Sequence, residues 1–329
     1  MVTHTTNYPQ PKFPLYASPF AVFYHILKYY EKGESGRFLP VTMMRFDFAI
    51  IGGDKRTAYM VPIFMEKGYR VVCYQTVNLP YDKTYYAASL KEALDQTQVV
   101  VAGIPFVKND CIFCEEQTAE IRISDFQRCL RKHQKIFGGV IPETFRRTCE
   151  EREIGCYDFM KDEPLTLYNA ISTAEGAILE AMLHKACNLH QSQTLVLGYG
   201  RCGKVLADKL KGLSACVTVC SNNEQELALA CALGFDTLHL SRLVKCIGRF
   251  TYIFNTIPAC VLTKPCLANL RRNTIVIDIA SNQIGADYEA AKLMNTHIRF
   301  CPGLPGKYAG ESCAAHLVDY VLKCCGRKK

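Results

Sequence analysis

No stretch of the 329-residue chain stays apolar for the roughly 18–20 residues that span a bilayer. The N-terminus also lacks the order of a secretory signal, in which basic residues precede an unbroken apolar run. A basic stripe interleaved with stacking aromatics is missing too, so the formal net charge of +8 does not point to nucleic acid. Spread thinly, that charge suits an anionic small molecule. Its densest piece, Gly326-Arg327-Lys328-Lys329, reads as a solvated end. Charged residues make up only 21% of the chain against 49% hydrophobic, a globular balance with length enough for two domains. The expectation is a cytoplasmic protein that binds neither membrane nor nucleic acid.

Cysteine is plentiful, but the spacing of a metal site or disulfide framework is not there. Of the 18 cysteines, Cys202, Cys216, Cys220, Cys231, Cys246 and Cys260 lie among apolar residues inside elements, where cysteine acts as a small hydrophobe. Reduced thiols are the default in such a setting. Cys111 and Cys114 form one C-x-x-C with no second pair at zinc spacing, and no metal is expected.

The first 43 residues, rich in proline and aromatics without a sustained period, do not match the rest of the chain. They read as an extension, either a poorly ordered arm or a stretch ahead of a natural start at Met43 or Met44. From Arg45 the chain alternates apolar runs with helical stretches: strands at 45–51, 70–74, 98–102, 135–140 and 156–160. A second series runs through 194–197, 215–220, 252–255, 274–278 and 297–300. Between them, Ala174, Ala177, Ile178, Ala181, Met182 and Ala186 keep a helical period, capped by Ser172 or Thr173 with Glu175 in the first turn. The fold class expected is α/β, two Rossmann-like doubly wound parallel-sheet domains joined by a long helix. The boundaries are 44–170 for the first domain, 171–190 for the interdomain helix and 191–304 for the second domain. Residues 305–329 hold a C-terminal helix, from about Glu311, that packs back on the first domain.

Gly198-Tyr199-Gly200-Arg201-Cys202-Gly203 is a G-x-G-x-x-G set between a buried strand and a helix. The first glycine permits the turn, the second admits a pyrophosphate, and the third lets the helix close on the sheet. The helix start offers free N–H groups to phosphate oxygens, and Arg201 adds a cation. All six residues are therefore candidate cofactor contacts. The second strand ends in Cys220-Ser221-Asn222-Asn223, with no acid to repel a 2′-phosphate, so Ser221 and Asn222 favour NADP with NAD still open. Thr256-Ile257-Pro258, Ala280 and Ser281 come after later strand ends and should flank the nicotinamide. Gly52-Gly53-Asp54, with two glycines and an acid, reads instead as a structural turn, and Arg56 beside it as a cation for an acidic ligand.

These segments together resemble the family of dipicolinate synthase A subunits. The resemblance rests on Ile50-Ile51-Gly52-Gly53-Asp54-Lys55-Arg56, Tyr168-Asn169-Ala170-Ile171-Ser172-Thr173-Ala174-Glu175-Gly176-Ala177 and the fingerprint. Asn255-Thr256-Ile257-Pro258, Asp278-Ile279-Ala280-Ser281 and Pro302-Gly303-Leu304-Pro305-Gly306-Lys307 complete it in order. Ser172 stands where the family has proline, and Gly310-Glu311 where it commonly has Pro-Lys. The resemblance implies oxidation of a dihydrodipicolinate-type intermediate to pyridine-2,6-dicarboxylate, with hydride transfer to NAD(P), in the mother cell of a sporulating bacterium. It also implies a partner, the flavoprotein-like B subunit of dipicolinate synthase, and a homo-oligomer is compatible with it. On this reading Arg56, Asn169, Thr173, Ser281 and Lys307 bind the dicarboxylate, and Glu175 is the first choice for the general base, ahead of Tyr308. Two alternatives stay open: a D-2-hydroxyacid or alanine-dehydrogenase-like oxidoreductase, and a non-catalytic nucleotide-binding protein that scaffolds a flavoprotein.

Overall fold

A computed structural model describes residues 30–32, 38–40, 46–78, 84–116 and 119–327. The chain separates into two units, Met1–Arg45 and Phe46–Lys329. In the first unit, Tyr30–Lys32 pairs antiparallel with Phe38–Pro40. The reading of residues 1–43 as an arm or as a stretch ahead of the start falls otherwise outside the described residues, as do Lys328 and Lys329 of the basic tail.

The second unit contains two six-stranded parallel sheets. The first is built from β1 (Phe48–Ile51), β2 (Val71–Tyr74), β3 (Tyr85–Tyr86), β4 (Val99–Ala102), β5 (Lys135–Gly138) and β6 (Gly155–Asp158), in the order β6-β5-β4-β1-β2-β3. The second uses β7 (Gln193–Leu197), β8 (Cys216–Ser221), β9 (Asp236–His239), β10 (Tyr252–Asn255), β11 (Ile275–Asp278) and β12 (His297–Phe300), in the order β9-β8-β7-β10-β11-β12. Both orders are doubly wound, with the reversal beside the first strand of each sheet, where such folds open a crevice at the strand C-termini. Two strands had no apolar run to announce them: β3 is exposed at both residues, and of β9 only Leu238 is buried. Both are edge strands, packed on fewer sides than the all-buried β1 and β4.

Three long helices relate the sheets: α1 (Lys55–Glu66), α2 (Glu163–Leu183) and, after the second sheet, α5 (Leu304–Cys324). Within the second sheet α3 (Arg201–Gly212) and α4 (Glu224–Ala232) come after β7 and β8. Because successive strand residues point to opposite faces, Phe48 and Ile50 pack with Met60 and Phe64 of α1 and with Leu317, Val318 and Val321 of α5. Ala49 and Ile51 face the other side, against Phe106, Phe126 and Phe145. The helix between the sheets reaches across in the opposite sense. Its Ala174, Ala177, Ile178 and Ala181 pack with Val196, Leu206 and Leu210 of the second sheet and α3.

Two helix starts differ from expectation. α2 begins nine residues before Ser172, where Asp162 Oδ1 accepts from the Leu165 N–H at 3.0 Å and Pro164 sits in the first turn. An N-cap acid followed by proline is the stronger start signal, and Ser172 lies in mid-helix, buried, with Oγ 3.3 Å from Cys313 Sγ. The helix also ends at Leu183, short of His190. At the C-terminus, helix starts at Leu304, not Glu311, and breaks its geometry at Ala309, where φ is −138° and ψ 34°. All 18 cysteines are free, but Cys216, Cys231 and Cys260 are exposed, so the reading of six apolar-packed thiols fails for these three. Among the described residues no helix is long and apolar enough to cross a membrane.

Candidate cofactor site

The fingerprint turn separates its three glycines into two kinds. Gly198 has φ +90°, and a Cβ there would lie 2.5 Å from Thr256 Oγ1. At Gly203 a Cβ would lie 2.2 Å from the Gly198 carbonyl oxygen. Both are closed by the protein itself, whereas a Cβ at Gly200 would meet nothing within 4 Å. The middle position is therefore crowded only when something sits over the helix start, as the diphosphate of a dinucleotide does. The residues present fit that group. Tyr199 contributes through its backbone alone, since its ring is buried in the core beneath. Cys202 is half-buried, and burial pushes its thiol up.

Arg201 is not a free cation. Its Nε lies 2.9 Å from both carboxylate oxygens of Glu163 and its Nη2 2.6 Å from one of them, joining the first turn of α3 to the first turn of α2.

The neighbouring strand ends are fixed by a network that sequence reasoning missed. Asn255 and Asp278, both fully buried, end β10 and β11. Asn255 Nδ2 donates to Asp278 Oδ1 at 3.0 Å and its Oδ1 accepts from the Ile257 N–H at 3.1 Å. Asp278 Oδ1 also accepts from the Ala280 N–H at 3.0 Å, and its Oδ2 accepts from the Tyr288 hydroxyl. Burial, then the bond to Asp278, pushes the Tyr288 phenol up. The signal was present in the sequence as a polar residue closing each of two apolar strands. The Thr256 hydroxyl donates to the Leu197 carbonyl at 2.8 Å, tying β10 to the fingerprint strand. Ile257 is partly exposed, Pro258 and Ser281 are exposed, and Ala280 is buried.

At the adenosine end of such a site the premise for NADP fails. Ser221 is buried, and its hydroxyl donates to Glu226 Oε2 at 2.6 Å. An acid does stand at the end of the second strand, delivered by the first turn of α4 rather than by the strand. Asn222 is exposed.

The equivalent turn of the first sheet is plugged. The Gly53 N–H donates to the Phe113 carbonyl at 2.6 Å, the Glu115 N–H to the Gly53 carbonyl at 2.8 Å, and a Cβ at Gly306 would lie 2.3 Å from Asp54 Oδ2. Asp54 and Arg56 form a buried ion pair there, Nη2 to Oδ2 2.6 Å. Arg56 also donates to the Ile104 carbonyl at 2.6 Å and to Asn169 Oδ1 at 3.2 Å. The Thr173 hydroxyl donates to the Asn169 carbonyl at 2.8 Å, so Arg56, Asn169 and Thr173 are contiguous. The cavity beside Arg56, Asn169, Tyr168 and His316 holds about 10 Å³, room for about one water.

Lys307 and Glu175 pair elsewhere. Lys307 Nζ is 2.6 Å from Glu180 Oε1, and the Tyr308 hydroxyl donates to the same oxygen at 2.7 Å. Burial pushes the Glu180 carboxyl up, but the bonds from Lys307 and Tyr308 and the charges of Lys307 and Arg299 outweigh it and hold it below the usual range. Glu175 sits past mid-helix, not in a first turn, and its exposed carboxylate pairs with Lys209 Nζ at 2.8 Å, two turns down α3 from the fingerprint. It is poorly placed for a general base. Cys114 of the C-x-x-C has its thiol pushed up to about 11 by burial, and among the described residues no cluster of three metal-ligating side chains exists.

Residues 47–160, which carry the plugged turn and most of the first sheet, match the family model for the N-terminal domain of the dipicolinate synthase A subunit. The chain is 28% identical over 191 residues to the dipicolinate synthase A subunit of Bacillus subtilis. That match covers 58% of this chain and 64% of the other, so it spans under two thirds of the relative's length. The chain is similar to the dipicolinate synthase A-subunit family, through the family model over its first domain and through this relative over 58% of its length. The similarity in fold extends over both sheets: the crystal structure of the dipicolinate synthase A subunit from Bacillus halodurans is similar with a TM-score of 0.75 at 23% identity, over 87% of this chain and 100% of that one. An L-alanine dehydrogenase is similar in fold at a TM-score of 0.54 and 12% identity, over 84% of this chain and 90% of that one. The family match contains Asp54 and Arg56, and the likeness to the dehydrogenase is one of fold.

Proposed function

We propose that the chain oxidises a dihydrodipicolinate-type intermediate to pyridine-2,6-dicarboxylate as the A subunit of a dipicolinate synthase, together with a flavoprotein-like B subunit, in the mother-cell cytoplasm of a sporulating bacterium. The observation that carries this reading is the fingerprint turn, closed at Gly198 and Gly203 and open at Gly200, on a chain whose first domain matches that family. A nicotinamide cofactor held by the Gly198–Gly203 turn would supply hydride acceptance from the substrate ring, the accompanying proton passing to water as the ring becomes aromatic.

The chain's own residues bind and orient. Thr256 and the Asn255–Asp278–Tyr288 network hold the loops after β10 and β11 rigid, so that the ring and the nicotinamide meet in one geometry. Arg56 has five N–H hydrogens, of which Asp54, Ile104 and Asn169 take four by the bonds above. The remaining Nη1 hydrogen and the Asn169 amide, turned nitrogen-outward by its bond to Arg56, suit one substrate carboxylate. The adjoining cavity has room for about one water, so the substrate binds at its mouth. Lys307, whose Nζ would have to leave Glu180, and the exposed Ser281 are the residues assigned to the second carboxylate. The test is to purify the chain alone and with its B subunit, then to follow reduced-nicotinamide absorbance with freshly made precursor. Turnover supports the reading, and turnover with 2-hydroxy acids instead would replace it with a hydroxyacid dehydrogenase.

A further inference from the structure

We infer that this chain selects NAD over NADP and that Glu226 is the residue that enforces the choice. The inference rests on the cofactor reading above and goes beyond it, since neither the sequence nor the family match distinguishes the two dinucleotides.

In a doubly wound nucleotide site the adenosine ribose reaches the C-terminal end of the second strand, where an acid accepts from its 2′-hydroxyl and repels a 2′-phosphate. A phosphate there needs donors and at least one cation. The Ser221 hydroxyl and the Asn223 backbone N–H are already committed. The Ser221 hydroxyl gives its hydrogen to Glu226 at 2.6 Å, and its oxygen accepts from the Asn223 N–H at 3.1 Å. Asn223 Oδ1 caps α4 by accepting from the Gln225 N–H at 2.8 Å and the Glu226 N–H at 3.3 Å. The helix start that would otherwise serve an anion is thus closed by its own cap.

The charges agree with the donors. From Cys216 to Phe235 the chain has neither lysine nor arginine, while Glu224 and Glu226 both stand in the first turn of α4. The nearest titratable group that could become a cation on the neighbouring strand is His239, which pairs with Ser221 in register. Its Nδ1 is held by Ser241 Oγ at 2.7 Å, and its Nε2 lies 3.9 Å from Glu224 Oε1, so even when protonated it faces an acid. A dianionic 2′-phosphate would meet the two carboxylates in the first turn of α4, and such like-charge contacts are strongly discriminating. A ribose hydroxyl enters the same pocket as a donor, and Glu226 is placed to accept from it.

The experiment measures NADH and NADPH binding to the purified full chain by the fluorescence of the bound reduced nicotinamide, in wild type and in Glu226→Gln. NADH is expected to bind at least about tenfold more tightly than NADPH, and Glu226→Gln to cut that ratio severalfold by improving NADPH binding. Circular dichroism and thermal melting establish that the variant folds, and Ser221→Ala supplies a second variant that frees the carboxylate without removing it and should keep the NAD preference. Equal or tighter NADPH binding by wild type, or a ratio unmoved by Glu226→Gln, would overturn the inference while leaving the cofactor site standing. Failure of either dinucleotide to bind would overturn both.

Discussion

Arg201 and Glu163 are locked in a two-point grip, Nε 2.9 Å from each carboxylate oxygen, at the spot where two helices begin. One helix carries the fingerprint and the other leads out of the first sheet, so the pair ties the start of the fingerprint helix to the first sheet's outgoing helix. It also holds the Glu163 carboxyl below its usual range, chiefly through the hydrogen bonds from Arg201. A bound diphosphate competes for the same guanidinium.

Removing Glu163 should therefore help the cofactor rather than the fold. In Glu163→Gln, Arg201 is released to the diphosphate, and dinucleotide affinity is expected to rise about two- to fivefold at low salt and less at high salt. Stability should hardly move, because both side chains are half-exposed and water screens the pair. Arg201→Ala should do the reverse to affinity. Titration of reduced nicotinamide fluorescence at two ionic strengths checks both.

The glycines should part company on substitution. Gly203→Ala forces a methyl onto the Gly198 carbonyl and is expected to destabilise the fold by roughly 2 kcal/mol or more, in line with steric strain in a packed site. Gly200→Ala meets open space in the protein alone and should melt near wild type, yet lose dinucleotide affinity by an order of magnitude. Thermal melts with and without cofactor separate the two, and a Gly200→Ala protein that binds normally would mean nothing rests on that helix start.

The central strands and the fingerprint were legible because their physics is local. β7 is a run of buried aliphatics followed at once by the glycines, and the alanine period of α2 is readable from Ala174 to Ala181. The edge strands β3 and β9 were not legible, since an edge strand needs few apolar residues and Tyr85–Tyr86 shows none buried. The substrate-side assignments depended on which charges find partners in space, and a sequence does not display that. Arg56 is claimed by Asp54 two residues away, Lys307 by Glu180 over more than a hundred, and Glu226 reaches back to Ser221 across a helix cap. Helix α2 was read as starting at Ser172 because its apolar period is clear only from Ala174, and that period does not reach back to the cap at Asp162.

Breaking the Asp54–Arg56 pair should be costly. Both residues are almost fully buried, and removing one partner leaves the other charge without compensation. Asp54→Asn is expected to cost about 3–5 kcal/mol, more than the exposed pair Glu163–Arg201 by a wide margin. It also removes the N-cap acceptor of α1, whose Oδ1 takes the Arg56 N–H at 2.9 Å. Urea denaturation with constant slope between wild type and variant is the measurement, and a loss under about 1 kcal/mol would mean that water reaches the pair.

The Glu180 cluster should give the protein a definite acid response. Its carboxyl is held below the usual range in the folded chain, so it binds a proton less readily folded than unfolded, and the stability it contributes is present above the ordinary carboxylate value. That contribution is lost as the pH falls through the lowered folded value. Its partner Lys307 is pushed up to about 12, mainly by the bond to Glu180, so at the alkaline end the same contact survives until the pH rises through that value. Glu180→Gln keeps the shape and removes the titration. The gap in melting temperature between wild type and this variant is therefore expected to be widest near neutral pH and to close between about pH 5 and pH 3. A gap that stayed constant across that interval would show that Glu180 acts through packing, with the charges of Lys307 and Arg299 adding nothing to it.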